Sequence, residues 1–422
     1  MERVALLVLV ALLAPGTTTA DAQRYALVNG RWLAGRGFVE RTMYVERGAF
    51  TQRRPVSVDS AIDLGGRFVV PPFGEAHNHN IEGAPAATVK AYLDAGIFYV
   101  KNPCSFPEAK RNAVGVLNVP ASVDAMFAGG CITGPEGHPI GLVRRNIARG
   151  GFKENDGDGR FLHLVTDSAD FERRWPAILR AGPDFIKTIL VYSEEHLLRR
   201  ADSRYVNWHG LDPSVLPLVV RRAHAAGLRV SSHVESAADF RVALTAGVDE
   251  INHLPGFRPD RDAMESLRGD LARYRIAPSD ARRAARDRVV LVTTLSGMIN
   301  LLALGDSSGL DAAARTRVRG LYVANLRLLR SSGARIAVGS DEFRSHSVNE
   351  ALALRTLGVF TDAELLTMLS ITTPRAIFPA RRLGCFDTGC EASFLALRDD
   401  PIADFANVRR IEVRMKQGVL LR

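Results

Sequence analysis

Beyond its first two dozen residues, the 422-residue chain has no apolar run approaching the ~18 residues that a membrane-spanning helix needs. It has no internal repeat and no low-complexity stretch, so solenoid and disordered classes do not apply. No Gly-x-Ser-x-Gly elbow occurs, which disfavours serine nucleophile chemistry of the hydrolase-elbow type. Acidic residues are outnumbered, 46 against 55 basic, for a net charge of +9. The arginines are scattered and lack interleaved aromatics, and the densest cluster, "ARRAARDR" at Ala281–Arg288, reads as the solvated face of a helix. Nucleic acid is therefore not an expected partner. Cysteine is scarce, with four in the chain.

What is present begins with an address. Arg3 precedes an eleven-residue apolar run, Val4–Ala14, then Pro15-Gly16 and small residues ending in Ala20 and Ala22. This reads as a secretory signal over 1–22, with no cysteine after it to carry a lipid. The expectation is an exported protein, periplasmic or secreted, without a membrane anchor after cleavage. An oxidising compartment gives the cysteines a structural meaning. Cys385 and Cys390 bracket "FDTG", a turn-forming segment between expected strands, so a bridge closing a hairpin is reasonable, with free buried thiols as the alternative. Cys104 and Cys131 can pair only if their loops meet.

From Tyr25 to Pro72 short apolar runs are separated by Asn-Gly, Gly and Pro signals, the pattern of antiparallel strands. From about Ala91 the texture changes to amphipathic helix, Ala-Gly or Ser-Gly stop, then strand, as in "LPLVVRRAHAAGLRVSSHV" and "NLRLLRSSGARIAVGSD". That alternation predicts an α/β fold with a (β/α)8 TIM barrel. Strands return at the end, in "ASFLALRDDPI" and "VRRIEVRMKQGVLL". The expected organisation is a signal (1–22), a β-sandwich part (23–70), the barrel (71–380) and a second sandwich part (381–422), the two parts folding together beside the barrel.

The residues at the ends of the expected barrel strands are His77 and His79 in "EAHNHN", Lys187 in "DFIKTI", His233 in "VSSHVE", His253 in "EINHLP" and Asp341 in "AVGSDE". Taken singly, each has a plain structural use: Asp341 could cap a helix and Lys187 could reach to solvent. Together they are the donor types of a zinc-like centre, gathered where all strand ends of a barrel converge. Residues i and i+2 of a strand share a face, so His77 and His79 can address one ion.

With these motifs on the page, the chain resembles the amidohydrolase superfamily, specifically its imidazolonepropionase-like and Xaa-dipeptidase-like members. The resemblance spans essentially the whole chain after the signal and includes "ITGPEGHP" at Ile132–Pro139, similar to the loop after the third strand in that group. It implies two divalent metal ions, taken as zinc: one held by His77, His79 and Asp341, a more exposed one by His233 and His253, with Lys187 carboxylated by CO2 as the bridge. Where the family reads Pro-Gly, two hydrophobic residues and Asp before its His-x-His, this chain has Pro72-Phe73-Gly74-Glu75-Ala76, and Asn80 follows.

The resemblance implies hydrolysis of an amide bond in a small-molecule substrate such as a dipeptide or N-acyl amino acid, by a metal-activated water with Asp341 as general base and then acid. His138, Tyr192, Tyr205, His209 and Arg344 are candidates for holding the substrate. A lactonase or phosphotriesterase would use the same metal set and is the alternative. A deaminase would carry Glu three residues after the fifth-strand histidine, whereas Glu235 lies two after His233. Self-association as a homo-oligomer is left open.

Overall fold

The computed structural model describes residues 23–257, 269 and 271–421; the expected signal, 1–22, lies outside them. Strand β1 (Tyr25–Ala34) turns directly into β2 (Gly37–Glu46), with Ala34 paired to Gly37. The two-residue loop needs Gly35 at φ 63°, a conformation glycine adopts without steric penalty. β3 (Ala49–Thr51) extends the hairpin, and the other edge of β1 takes two parallel neighbours in turn, β4 (Ser60–Asp63) and β5 (Phe68–Val70).

The chain then enters a parallel region: β6 (Phe73–Glu75), β7 (Ile97–Asn102), β8 (Asp124–Phe127), β9 (Cys131–Thr133), β10 (Leu162–Leu164), β11 (Ile186–Ile189), β12 (Val230–His233), β13 (Glu250–Asn252), β14 (Val290–Val292) and β15 (Arg335–Ala337). The helix stops read from the sequence are present. Helices Ser168–Arg180, Leu216–Ala225, Ala237–Ala246 and Ala312–Ser331 are followed by Gly182, Gly227, Gly247 and Gly333, each at φ between 68° and 83°. Ser236 and Asp239 form a reciprocal cap at the start of Ala237–Ala246. Every residue of β11 to β14 is buried, as expected for parallel strands covered on both faces.

The hydrogen bonding does not form the expected closed eight-stranded barrel. Parallel strands fall into a seven-stranded sheet, β10-β9-β11-β12-β13-β14-β15, and a three-stranded one, β6-β7-β8. One break has a local cause: Gly129, at φ 68°, and Gly130 kink the chain between β8 and β9, so β8 pairs with β7 while β9 pairs with β10 and β11. A Cβ on Gly130 would stand 2.5 Å from the carbonyl oxygen of Arg160, which marks how closely the kink packs. At the other break, single backbone bonds replace a ladder: the Ala76 N–H donates to the Val338 carbonyl at 3.0 Å.

The C-terminal strands β16 (Phe394–Leu397), β17 (Ile411–Lys416) and β18 (Val419–Leu421) join the first ones through antiparallel pairing of β16 with β5. The two end segments thus meet in one eight-stranded hydrogen-bonded sheet. Trp32 is fully buried there, meeting Phe386, Phe50 and Phe394 at ring distances of 4.9, 5.8 and 5.8 Å. Both cysteine pairs are bridged: Cys385–Cys390 as expected, and Cys104–Cys131, whose loops do meet, with Cα atoms 5.4 Å apart. No helix among the described residues is long and apolar enough to cross a membrane.

Candidate active site

A cavity of about 520 Å³ opens at the C-terminal ends of the parallel strands, and all six candidate ligands line it. His77 and His79 follow β6, His233 ends β12, His253 follows β13 and Asp341 lies beyond β15. Lys187 differs slightly from expectation, being the second residue of β11 and not its successor. His253 and Asp341 both take left-handed backbone, at φ 74° and 49°, an uncommon conformation for such residues and one that concentrates at functional sites.

The side chains form a row of rings. His138 lies 5.0 Å from His233, His233 lies 4.4 Å from His253, His253 lies 4.6 Å from His77, and His77 lies 5.5 Å from His79. Asp341 Oδ1 stands 3.3 Å from His79 Nε2 and 3.5 Å from His77 Nε2. Donors bonded tetrahedrally to one ion at about 2.1 Å lie about 3.4 Å apart, so the two Asp341–histidine separations match those expected at a zinc-like ion. Among the described residues, His77, His79 and Asp341 are the group of three whose donor atoms come within 4.8 Å of one another.

The second expected set is near but engaged otherwise. His253 Nδ1 is 2.7 Å from the Thr294 hydroxyl, and its ring stacks on Phe257 at 3.8 Å. His233 Nε2 is 3.0 Å from Glu235, the residue weighed as a deaminase's proton carrier. The Lys187 amine donates to Asn252 Oδ1, within a buried network in which Ser231 and Lys101 both donate to Glu250. Sequence reading missed this network; its polar residues lie inside strands and carry no motif.

The electrostatics suit cation binding. Burial pushes His77 down to about 4, against the pull of Asp341, and burial with His233 and His77 nearby lowers His253 as well. Both are thus neutral imidazoles with lone pairs to offer. Burial would raise Asp341, yet His77 and His79 beside it hold its carboxyl well below the ordinary range. Burial lowers Lys187 to about 7, with Glu250 and Asp341 opposing, so a neutral amine able to add CO2 is accessible near neutral pH.

Of the five candidate substrate contacts, the cavity wall includes His138. Tyr192 is buried and does not line the cavity, its hydroxyl 3.0 Å from that of Tyr274, with the Arg199 guanidinium over its ring. Tyr205 packs on the same Arg199, and His209 lines a separate cavity of about 110 Å³ with His196 and Asp212. Arg344 is exposed and does not line the cavity. Among the wall residues that sequence reading missed are Arg145, Asn207, Phe257, Glu342 and Phe343.

No family model and no curated protein matches the sequence. Solved structures do match in shape. A structure described as an amidohydrolase aligns with a TM-score of 0.69 at 18% identity, covering 94% of this chain and 99% of that one. The chain shares the fold of that structure. A prolidase complexed with N-methylphosphonate-L-proline aligns at 0.69 and 17%, covering 95% and 100%, and an A. niger ochratoxinase at 0.69 and 17%, covering 95% and 96%.

Proposed function

We propose that the protein is a metal-dependent amidohydrolase that cleaves an amide bond in a small molecule. The observation that carries this reading is the His77–His79–Asp341 trio at one end of a cavity that also holds His233, His253 and Lys187. The prolidase, Xaa-Pro dipeptidase and ochratoxinase structures that share the fold support the choice of an amide. His77, His79 and Asp341 would hold one divalent ion, taken as zinc, and His233 and His253 a second, with carboxylated Lys187 between them. Such ions supply an acidified water and polarise the acyl oxygen. Asp341 accepts the proton of the attacking water and returns it to the departing nitrogen. Thr294 fixes the ring of His253 through Nδ1, and Asn252 holds the Lys187 amine at the cavity floor.

We also propose that the two parallel sheets are the wall of one barrel interrupted at Gly129-Gly130. Supporting this, the Asp184 N–H donates to the Phe127 carbonyl at 2.9 Å on one side and Ala76 bonds Val338 on the other. Export is proposed too, supported by two bridged cysteine pairs, which persist in oxidising compartments.

The test is a screen of metal-loaded protein on dipeptides, N-acyl amino acids, lactones and phosphotriesters. Turnover of amides, lost on chelation and restored by zinc, is expected; turnover of lactones or phosphotriesters alone would replace this reading. Lys187→Ala should lose metal and activity together, with partial rescue by short carboxylic acids.

A further inference from the structure

Apart from the six candidate ligands and His138, the wall of the active-site cavity carries one cationic and one anionic side chain, Arg145 and Glu342. Neither forms an ion pair among the described residues, whereas the adjacent Arg144 pairs with Glu136 at 2.8 Å.

The two charges stand at opposite ends of the ring row. Arg145 belongs to helix Ile140–Ala148, which begins two residues after His138. Its guanidinium folds back toward the start of that helix, Nη1 lying 3.4 Å from where a Cβ on Gly141 would stand. Asn207 sits beside it, its Oδ1 accepting from the Gly141 N–H at 3.0 Å, which orients its amide nitrogen as a further donor. Glu342 follows Asp341 directly, at the His77–His79 end, with Oε1 accepting from the Ser296 hydroxyl at 2.9 Å. The same wall also carries the apolar side chains Leu142, Phe161, Phe257 and Phe343.

We infer that Arg145 and Glu342 are specificity-determining residues that read the two ends of a small zwitterionic peptide. This rests on the amide-hydrolase reading above. The substrate carboxylate meets Arg145 and Asn207, the free amino group meets Glu342, and the apolar side chains of the wall meet the rest. A guanidinium and an amide nitrogen offer a carboxylate several charge-assisted bonds. The scissile amide then lies over the ring row with its acyl half toward Asp341 and its leaving nitrogen toward His138. Water adds hydroxyl to the acyl carbon, the C–N bond breaks, the nitrogen takes the proton, and two amino acids leave.

The experiment compares leucyl-phenylalanine, its N-acetyl derivative and its C-terminal amide on zinc-loaded wild type, Arg145→Gln and Glu342→Gln. Wild type should favour the free dipeptide over both blocked forms. Arg145→Gln should raise KM for carboxylate-bearing substrates about 10- to 100-fold, the worth of a charged hydrogen bond, and shrink the preference for free acid over amide. Glu342→Gln should shrink the preference for free amine over N-acetyl in the same way. Equal kcat/KM on all three substrates, or a uniform loss in both variants, would overturn the inference. A ketomethylene analogue of the dipeptide, titrated calorimetrically, separates the two readings: if wild type cleaves none of the three, the hydrolase reading fails. Analogue binding that weakens in each variant then still supports the charge reading, and binding indifferent to both refutes it.

Discussion

The main-chain N–H of Asp341 donates to the carbonyl of His77 at 2.8 Å, while their side chains face each other at 3.5 Å. Carboxylate and imidazole are therefore tied through the backbone as well as gathered at the cavity. The tie spans the seam between β6 and β15, where no sheet ladder runs.

The close approach depends on Gly339. A Cβ there would stand 2.7 Å from His77 Cβ and 2.8 Å from Val292 Cγ1, distances that force the seam apart. Gly339→Ala is expected to destabilise the protein by about 1–3 kcal/mol, the usual cost of overpacking, and to lower metal retention by parting His77 from Asp341. Thermal unfolding with metal analysis of the dialysed protein checks this; unchanged stability and metal content would mean that the seam yields freely.

Glu350 gives a pH dependence with a definite sign. Its buried carboxylate accepts from the Leu295 and Ser296 N–H groups at 2.8 and 2.6 Å, yet burial outweighs them and raises it from 4.5 to about 7. A group with a raised folded value binds its proton more tightly when folded. Its contribution is complete below about 4.5 and is lost as pH climbs through about 7. The loss is on the order of 3 kcal/mol, at about 1.4 kcal/mol for each pH unit between the two values. Glu350→Gln should flatten that part of the stability profile, measured by urea unfolding at pH 5, 6 and 7.5, and an unaltered slope would assign the dependence to other groups.

The two disulfides should differ in worth. Cys104–Cys131 spans 27 residues and Cys385–Cys390 spans 5. Chain entropy then assigns about 3.5 kcal/mol to the first and about 2 kcal/mol to the second. Cys104 lines the cavity, so replacing that pair by serine should also reduce turnover, whereas replacing Cys385 and Cys390 should change stability alone. Unfolding curves and kinetics of the two double variants decide it.

Features set by neighbours in the chain could be read in advance. His77 and His79 share a strand face whatever the barrel does, and the Gly182, Gly227, Gly247 and Gly333 stops follow from glycine's access to left-handed backbone. Closure of the sheet could not be read, because the kink at Gly129-Gly130 looks like any turn until Arg160 packs on it. Nor could the wall beyond the donors. Tyr192 and Tyr205 lie in a loop expected at the mouth, yet Arg199 draws both rings onto its guanidinium. Arg145 sits on the exposed face of its helix, whose buried residues are Ile140 and Val143, and reaches the cavity wall because its side chain folds back over Gly141, a rotamer that no local pattern specifies.

The last prediction separates turnover from assembly at Asp341. Its Oδ1 stands within 3.5 Å of two imidazole nitrogens, and its Oδ2 is 3.9 Å from His253 Nδ1. One carboxylate can thus hold an ion beside His77 and His79 and still present an oxygen to an attacking water. Asp341→Asn preserves the shape and one oxygen donor but removes the proton acceptor. Metal binding should persist at least in part, while turnover falls by about 10²–10⁴-fold, the usual worth of a positioned acid–base group. The acidic limb of the pH–rate profile should go with it, since the group whose deprotonation produced that limb is gone. Metal stoichiometry measured on the same sample as the kinetics distinguishes this from a collapsed site: near-normal turnover with metal bound would move the proton acceptor elsewhere, with His138, 5.0 Å from His233, the next residue to replace.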